Sequence, residues 1–487
     1  MARLSVIADK NLSYPNEGNF SPSEMFPEYQ YGDIATQPNL TYAAVRNCLA
    51  QAGLDRAHFG SKNWNPFGEY IQPGQKVFVL CNFVYHRRFD ETPDSFAAKC
   101  THSAVLRPLL DYLLLAVGKS GSVHFGNAPV QSCKWSSVLD ETKAQQVLDF
   151  YYSIGEPIKA QDLRLYVAER SVLGSVEKLE QRDDKDAVFI DLSSKSLLEK
   201  IPNVKNAHFR LSDYDPRRTE AFHSHGSHVY VLNKQLLEAD VVISLPKLKT
   251  HEKVGITCAL KGCVGAIAHK DCLAHHRFGS PDIGGDEYPV DKFYFKRSIS
   301  GFHDWVQQSE ADSFQGNLLR VIDRVFRSGL RRLVPVTAGA WWGNDTAWRM
   351  ALDIARIIRY ATAEGEMQRL PVRQHLVLVD GIVGGEGMGP LKPTPVRSGV
   401  ILFADDPVVA DYSCAKLMGF DPLKIPLIRE ALTLEDYPLT EQSIGQKSII
   451  YNGEECAFTK LCGRVEKRYR PSPGWMGQIE DNDTKTV

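Results

Sequence analysis

Nowhere in the 487-residue chain do about eighteen or more apolar residues run together, so no bilayer span is expected. There is no basic excess either. With a net charge of −2, broad nucleic-acid binding, which draws on surplus lysine and arginine, is not expected. The ten cysteines include no C-x-x-C pair and lie scattered in apolar contexts. The closely spaced ligands that mark structural zinc or iron–sulfur sites are therefore missing, and most of these thiols read as reduced, buried small hydrophobes. The opening Met1-Ala-Arg-Leu-Ser-Val-Ile-Ala-Asp9 is too short and too soon acidic for a secretory signal, so cytoplasmic residence is the expectation. Internal repeats and low-complexity tracts are absent as well.

What is there is an ordinary soluble composition, 43% apolar and 24% charged, on a chain too long for one core. Short β-branched runs alternate with helical patterns. Lys76–Val84, Ser122–Phe125, Ala187–Leu192, Asp240–Leu245, His375–Asp380 and Gly399–Phe403 read as strands, and 103–117, 141–153 and 347–363 as helices. This alternation predicts an α/β fold with a mostly parallel, doubly wound sheet. Residues 1–70 read as an N-terminal extension, 71–290 and 371–470 as two parts of the α/β domain, 291–370 as a helical insert or lid, and 471–487 as a flexible tail. Asn344-Asp345-Thr346 is suited to capping the helix that follows it.

The chemistry concentrates between Asp240 and Pro289. Pro246-Lys-Leu-Lys-Thr-His251 follows a strand, and ligands of open α/β sheets bind at strand carboxyl ends. In extended backbone Lys247, Lys249 and His251 share a face, which makes either an anion site or a solvated charged loop. Crowding lowers a lysine's pKa and can make it a base. Lys261 either turns back toward the same place or stays an ordinary surface lysine. His223, His225 and His228 could surround a metal, although one functional histidine among exposed ones is the commoner outcome. His275, His276, Arg277, Asp286 and Glu287 share a Gly/Pro-interrupted loop that suits acid–base groups or metal ligands.

The glycine-rich 381–390 stretch resembles a phosphate cradle through Gly385, Gly387 and Gly389, but it lacks the Walker lysine and reads equally as a tight turn. Asp380 and Glu386 flank it, and carboxylates there suit a metal or another cation. Asp406 reads as a helix cap or a site acid, and Asp411 divides in the same way.

Taken together, Ile243-Ser-Leu-Pro-Lys-Leu-Lys-Thr-His251, Gly255-Ile-Thr257, Ala259-Leu-Lys261-Gly262, Val379-Asp-Gly-Ile-Val-Gly-Gly-Glu-Gly-Met-Gly-Pro390 and Ala404-Asp-Asp-Pro-Val-Val-Ala-Asp411 resemble the DUF362 family. The likeness runs from about Lys76 to Leu427. It implies an α/β fold and a biochemical role that is mostly unassigned. Some members carry a ferredoxin-like four-iron domain; this chain departs there, and it reads Leu80-Cys81-Asn82 where the family has a lysine.

The expectation is an enzyme acting on a small anion (carboxylate, phosphate or sugar derivative). Lys247, Lys249 and Lys261 would bind the anion and His251 would serve as general acid–base group. Candidate divalent-metal ligands are His228, Asp286, Glu287, Asp380 and Glu386. Two rivals stay open: a redox protein with iron on Cys258, Cys263, Cys272 and a distant cysteine, and a non-catalytic ligand-binding protein.

Overall fold

In the central strands, neighbouring residues serve different cores. Val77, Val79 and Cys81 belong to one apolar cluster and Phe78 and Leu80 to the other; Leu376 and Leu378 likewise oppose Val377 and Val379. Side chains of a strand alternate between faces, so a sheet apolar on both must be covered on both. The computed structural model describes residues 3–16, 18–156, 158–170, 177–290, 295–308, 316, 318–323, 325, 338–441, 448–458, 461 and 468–481.

The main sheet has eleven strands: β1 (Leu4–Ala8), β2 (Lys76–Cys81), β3 (Ser122–Asn127), β4 (Lys159–Asp162), β5 (Val241–Leu245), β6 (Lys247–His251), β7 (Gly255–Thr257), β8 (Gln374–Met388), β9 (Lys392–Ala404), β10 (Ser448–Tyr451) and β11 (Glu454–Ala457). Their order is β11-β10-β1-β9-β8-β5-β2-β3-β4, with β6 paired to β8 and β7. The run β8-β5-β2-β3-β4 is parallel, and β9 returns antiparallel beside β8. Helices Leu40–Gln51 and Ser103–Val117 cover one face through Val45, Leu49, Leu106 and Leu110. Helices Ala347–Tyr360 and Pro407–Leu417 cover the other through Ala351, Ile354, Val408 and Val409. The α/β class and the mostly parallel sheet expected from the sequence are what the fold contains.

Four regional expectations change. Residues 1–70 are not a mere extension, because β1 lies inside the sheet between β9 and β10. Ala187–Asp191 pairs with Ser227–Asn233 in a separate antiparallel sheet rather than joining the main one. The Ala347–Tyr360 helix is core, with twelve buried residues, not a lid; Asn344 Oδ1 accepts the Thr346 and Ala347 amides at its start (3.0 and 2.9 Å). Elsewhere in the expected insert over 291–370, residues 295–308, 316, 318–323 and 325 are helical. Finally, the expected flexible tail packs: Trp475 is buried and its Nε1 donates to Glu252 O at 2.7 Å. Residues 482–487 lie outside the described residues.

Pro246 supplies the break that places the site. β5 ends at Leu245, and β6 resumes along the outer half of β8, with Lys247 opposite Asp380 and Lys249 opposite Gly385. A turn then leads to Gly255, whose φ of +87° favours glycine and whose absent side chain leaves room for Trp475.

Candidate functional site

β6 carries a basic residue at every second position, and the alternation continues through the turn to Lys253. All four of Lys247, Lys249, His251 and Lys253 are buried. Burying charge is costly unless it is paired, so each partner decides what the group is for.

At the first position the answer is structural. Lys247 Nζ donates to Asp380 Oδ2 (2.8 Å) and to Tyr14 Oη (2.6 Å), while Tyr14 donates to Asp380 Oδ1 at 2.6 Å. Asp380 Oδ2 also accepts the His102 amide at 3.0 Å, and the His102 ring stacks on Tyr14 with centroids 4.1 Å apart. Burial pulls the Lys247 ammonium down from its ordinary pKa and Asp380 opposes that pull. This is a closed ion pair in which an anion finds no vacancy. The expectation that Lys247 binds substrate is corrected accordingly, and Asp380 is its partner rather than part of an assembled metal site.

Lys249 stands between. Its ammonium donates to Asn82 Oδ1 at 2.6 Å and to the Lys99 carbonyl, both neutral acceptors. Burial, with repulsion from Lys247, Lys99 and Lys261, pushes it down to about 7. A lysine so placed exchanges its proton near neutral pH.

The far end is open. His251 Nδ1 accepts the Lys253 amide at 3.0 Å, so in the neutral ring the proton sits on Nε2, where it can be donated. Lys253 donates to Ser212 Oγ (3.3 Å) and to the Ala338 carbonyl. Lys261 rides on the short helix Ala259–Gly262, whose first amides are held by Asp411: Ala259 N at 2.7 Å and Leu260 N at 3.2 Å. Its ammonium has no hydrogen-bond partner among the described residues, and burial with repulsion from Lys253 lowers it to about 8. His275 Nε2 is buried and likewise without a partner, although the His275 backbone is pinned by Arg210 O (2.9 Å) and Asn344 Nδ2 (2.9 Å). Burial and then Lys261 hold both His251 and His275 well below the usual imidazole range.

Among the described residues, none of Lys249, His251, Lys253, Lys261 and His275 forms an ion pair. Their mutual pKa effects place them as one group. Five basic side chains without an ion pair, one of them with an unsatisfied buried nitrogen and only Lys253 within the influence of acids (Glu252 first, then Asp213), are a configuration that a bound anion would relieve.

The other expected site residues lie elsewhere, each with its own work. His228 Nε2 meets Glu199 at 2.9 Å in the small sheet, and His223 Nε2 meets Cys272 O at 2.7 Å. Asp286 accepts from Thr346 Oγ1 (2.6 Å), the Asp345 amide (2.9 Å) and the Arg277 amide, and so ties the Gly284–Pro289 loop to the Asn344 helix start. Glu287 accepts from Ser300 Oγ at 2.6 Å and Glu386 from the Arg470 amide at 2.9 Å. No group of three or more His, Cys, Asp or Glu able to hold a metal occurs among the described residues, so the five metal candidates are not assembled.

The expected phosphate cradle is instead the outer half of β8. Gly387 N donates to Arg470 O (2.9 Å) and Gly389 N to Gly387 O (2.8 Å), while Gly385 and Gly389 make room for Pro393 and the Thr250 carbonyl. Those glycines answer to close packing rather than to a ligand. Cys258 hydrogen-bonds with Cys414, Cys263 donates to Ala259 O and Cys272 to His269 O. The three are not gathered as an iron site would need, and Cys462 lies outside the described residues. Asp406 caps its helix, accepting from Val408 N at 2.9 Å.

Lys253 was missed at the level of sequence, although the period of two through 247, 249 and 251 pointed to it. Tyr14 and His102 left no such trace. A surface cavity of about 520 Å³ opens elsewhere, between the Arg210 region and the helix Phe295–Gln308, lined by His208, Phe278, Arg297 and Trp305 among others. None of the five basic residues lines it. The five basic residues, and not that concavity, form the candidate site.

No curated protein matches the chain. A structural-genomics crystal structure of a Thermotoga maritima protein aligns at 12% identity and a TM-score of 0.32, covering 77% of this chain and 58% of that one. The profile of the family described as Domain of unknown function (DUF362) matches residues 149–416, a stretch that contains β5, β6, Lys261, His275 and Asp411. With more than half of its length matched, the chain belongs to the DUF362 family.

Proposed function

We propose that the protein binds a small anion, a carboxylate, phosphate or sugar derivative, at the open end of β6 and acts on it by lysine–histidine acid–base chemistry. The observation that carries this reading is Lys261, a residue only 8% exposed whose ammonium makes no hydrogen bond among the described residues, close enough to the orphaned His275 Nε2 to lower that imidazole's pKa. In this reading Lys261 and Lys253 supply charge, and His251 Nε2 and His275 Nε2 supply directional hydrogen bonds to the anion. Lys249, poised near neutrality, takes the role of proton carrier that the sequence alone suggested for His251. His251 is held too low to be protonated before the anion arrives. Once an anion is present, its charge raises the pKa values of the surrounding bases and tightens the set.

Calorimetric titration with inorganic phosphate, pyrophosphate and malonate tests the reading. At least one should bind, and Lys261→Met should weaken it by about tenfold or more, the size of one lost charged hydrogen bond. Absence of binding by all three, or an unchanged Lys261→Met protein, removes the reading.

A further inference from the structure

The pair of strands β6 and β7 carries two threonines, and the sheet treats them differently. Thr250 Oγ1 donates to the Gly387 carbonyl at 3.0 Å, so its hydroxyl is engaged within the sheet. Thr257 is only 3% exposed, and its Oγ1 is buried with no hydrogen-bond partner among the described residues. Buried hydroxyls are as a rule paired, and valine fills the same shape without leaving a bond unmade. Strand propensity favours both side chains, so it gives no reason for the oxygen.

Register places that oxygen. Thr257 stands opposite Lys249 in the antiparallel pair, and Thr250 stands opposite Ile256. Directly opposed side chains of such a pair lie on one face, with β-carbons roughly 5 Å apart. Thr257 therefore shares the face of Lys249 and His251, and Thr250 is turned to the other. The chain leaves Thr257 for the helix Ala259–Gly262, which carries Lys261. Lys261 is in turn near enough to Lys249 to depress that ammonium's pKa. The hydroxyl thus lies between two lysines of the basic group. A charged ammonium has donors only, so neither can take the hydroxyl proton. An oxyanion can.

We infer that Thr257 is a further ligand-contacting residue of the anion site, its hydroxyl donating to an oxygen of the bound oxyanion and holding it between Lys261 and Lys249. This rests on the anion site proposed at β6 and extends that site onto β7. It also sets the ligand beside Lys249, the proton carrier of the proposed chemistry.

Titration of the full chain with whichever of inorganic phosphate, pyrophosphate and malonate the wild type binds most tightly tests it. Thr257→Val keeps the shape and removes the hydroxyl, and should bind about tenfold more weakly, the size of one lost hydrogen bond to a charged group. Thr257→Ser keeps the hydroxyl and should bind as wild type does. Ligand-free Thr257→Val should melt no lower than wild type, since no bond is lost; a merely structural hydroxyl would lower it. A second readout uses the wild-type chain labelled at its threonine methyl groups. The anion should shift the Thr257 resonance, identified by its loss in Thr257→Ser, more than that of Thr250. Equal affinity in wild type and Thr257→Val, a serine variant as weak as the valine one, or an unmoved Thr257 methyl overturns the role of Thr257 and leaves the anion site standing. A wild type that binds none of the three anions removes the site, and this inference with it.

Discussion

Lys247 and Lys261 are both buried lysines of one basic cluster, yet they answer to opposite demands. Lys247 sits in a closed set with Asp380, Tyr14 and the His102 amide, every charge and polar atom matched. Lys261 has no such match, and the groups around it are Lys253, His251 and His275. A satisfied buried ion pair locks geometry; a cation without a counter-charge keeps its hydrogen-bond donors available. The sheet thus uses the first lysine to fix β6 against β8 and so holds the later positions where a ligand can meet them.

The sharpest way to break this contrast is to remove each ammonium in turn. Lys247→Ala strands Asp380, which is fully buried, and should cost about 3–5 kcal/mol, read as a lower chemical-denaturation midpoint. Lys261→Met removes an unpaired charge and should leave that midpoint unchanged or raise it. Equal costs for the two variants would erase the distinction.

A smaller effect comes from pH. Burial and Lys253 hold the Lys261 ammonium down to about 8, so the affinity for phosphate should fall above that pH, by up to about tenfold per unit, while Lys261→Met shows no such decline. The stability sign runs the other way. Lys249 and Lys261 have folded values, about 7 and about 8, below the ordinary 10.5, so the unfolded chain holds more protons in between. Ligand-free stability should therefore gain from these two groups as pH rises from about 7 toward 10, and a thermal-melting series without anion checks it. The smallest effect is expected from Asp411→Ala. It frees the first amides of the Ala259–Gly262 helix, at about 1 kcal/mol, and loosens Lys261 enough to weaken phosphate binding measurably.

Much of this arrangement was legible beforehand because it is local. Alternation in Lys247-Leu-Lys-Thr-His251 placed the basic face, Pro246 marked the break before it, and the 103–117 helix fell where its apolar period predicted. What was not legible depends on chain segments meeting from far away. Nothing near Tyr14 announces Asp380, 366 residues on, so Lys247 read as a ligand group rather than half of an ion pair. The Gly385–Gly389 run looked like a cradle because local sequence cannot say whether a glycine makes room for a phosphate or for a neighbouring strand. The polar tail hid Trp475, whose burial against Gly255 no local period reveals. Asp286 read as a metal ligand for the same reason: its partners Thr346 and Asp345 lie some sixty residues downstream.

The most direct test is an NMR titration of the Lys261 side chain, assigned by its loss in Lys261→Met, with and without inorganic phosphate. A free value near 8 that moves upward when phosphate is added is what an anion site at Lys261 predicts. A value at the ordinary lysine pKa of about 10.4, unmoved by phosphate, would contradict it.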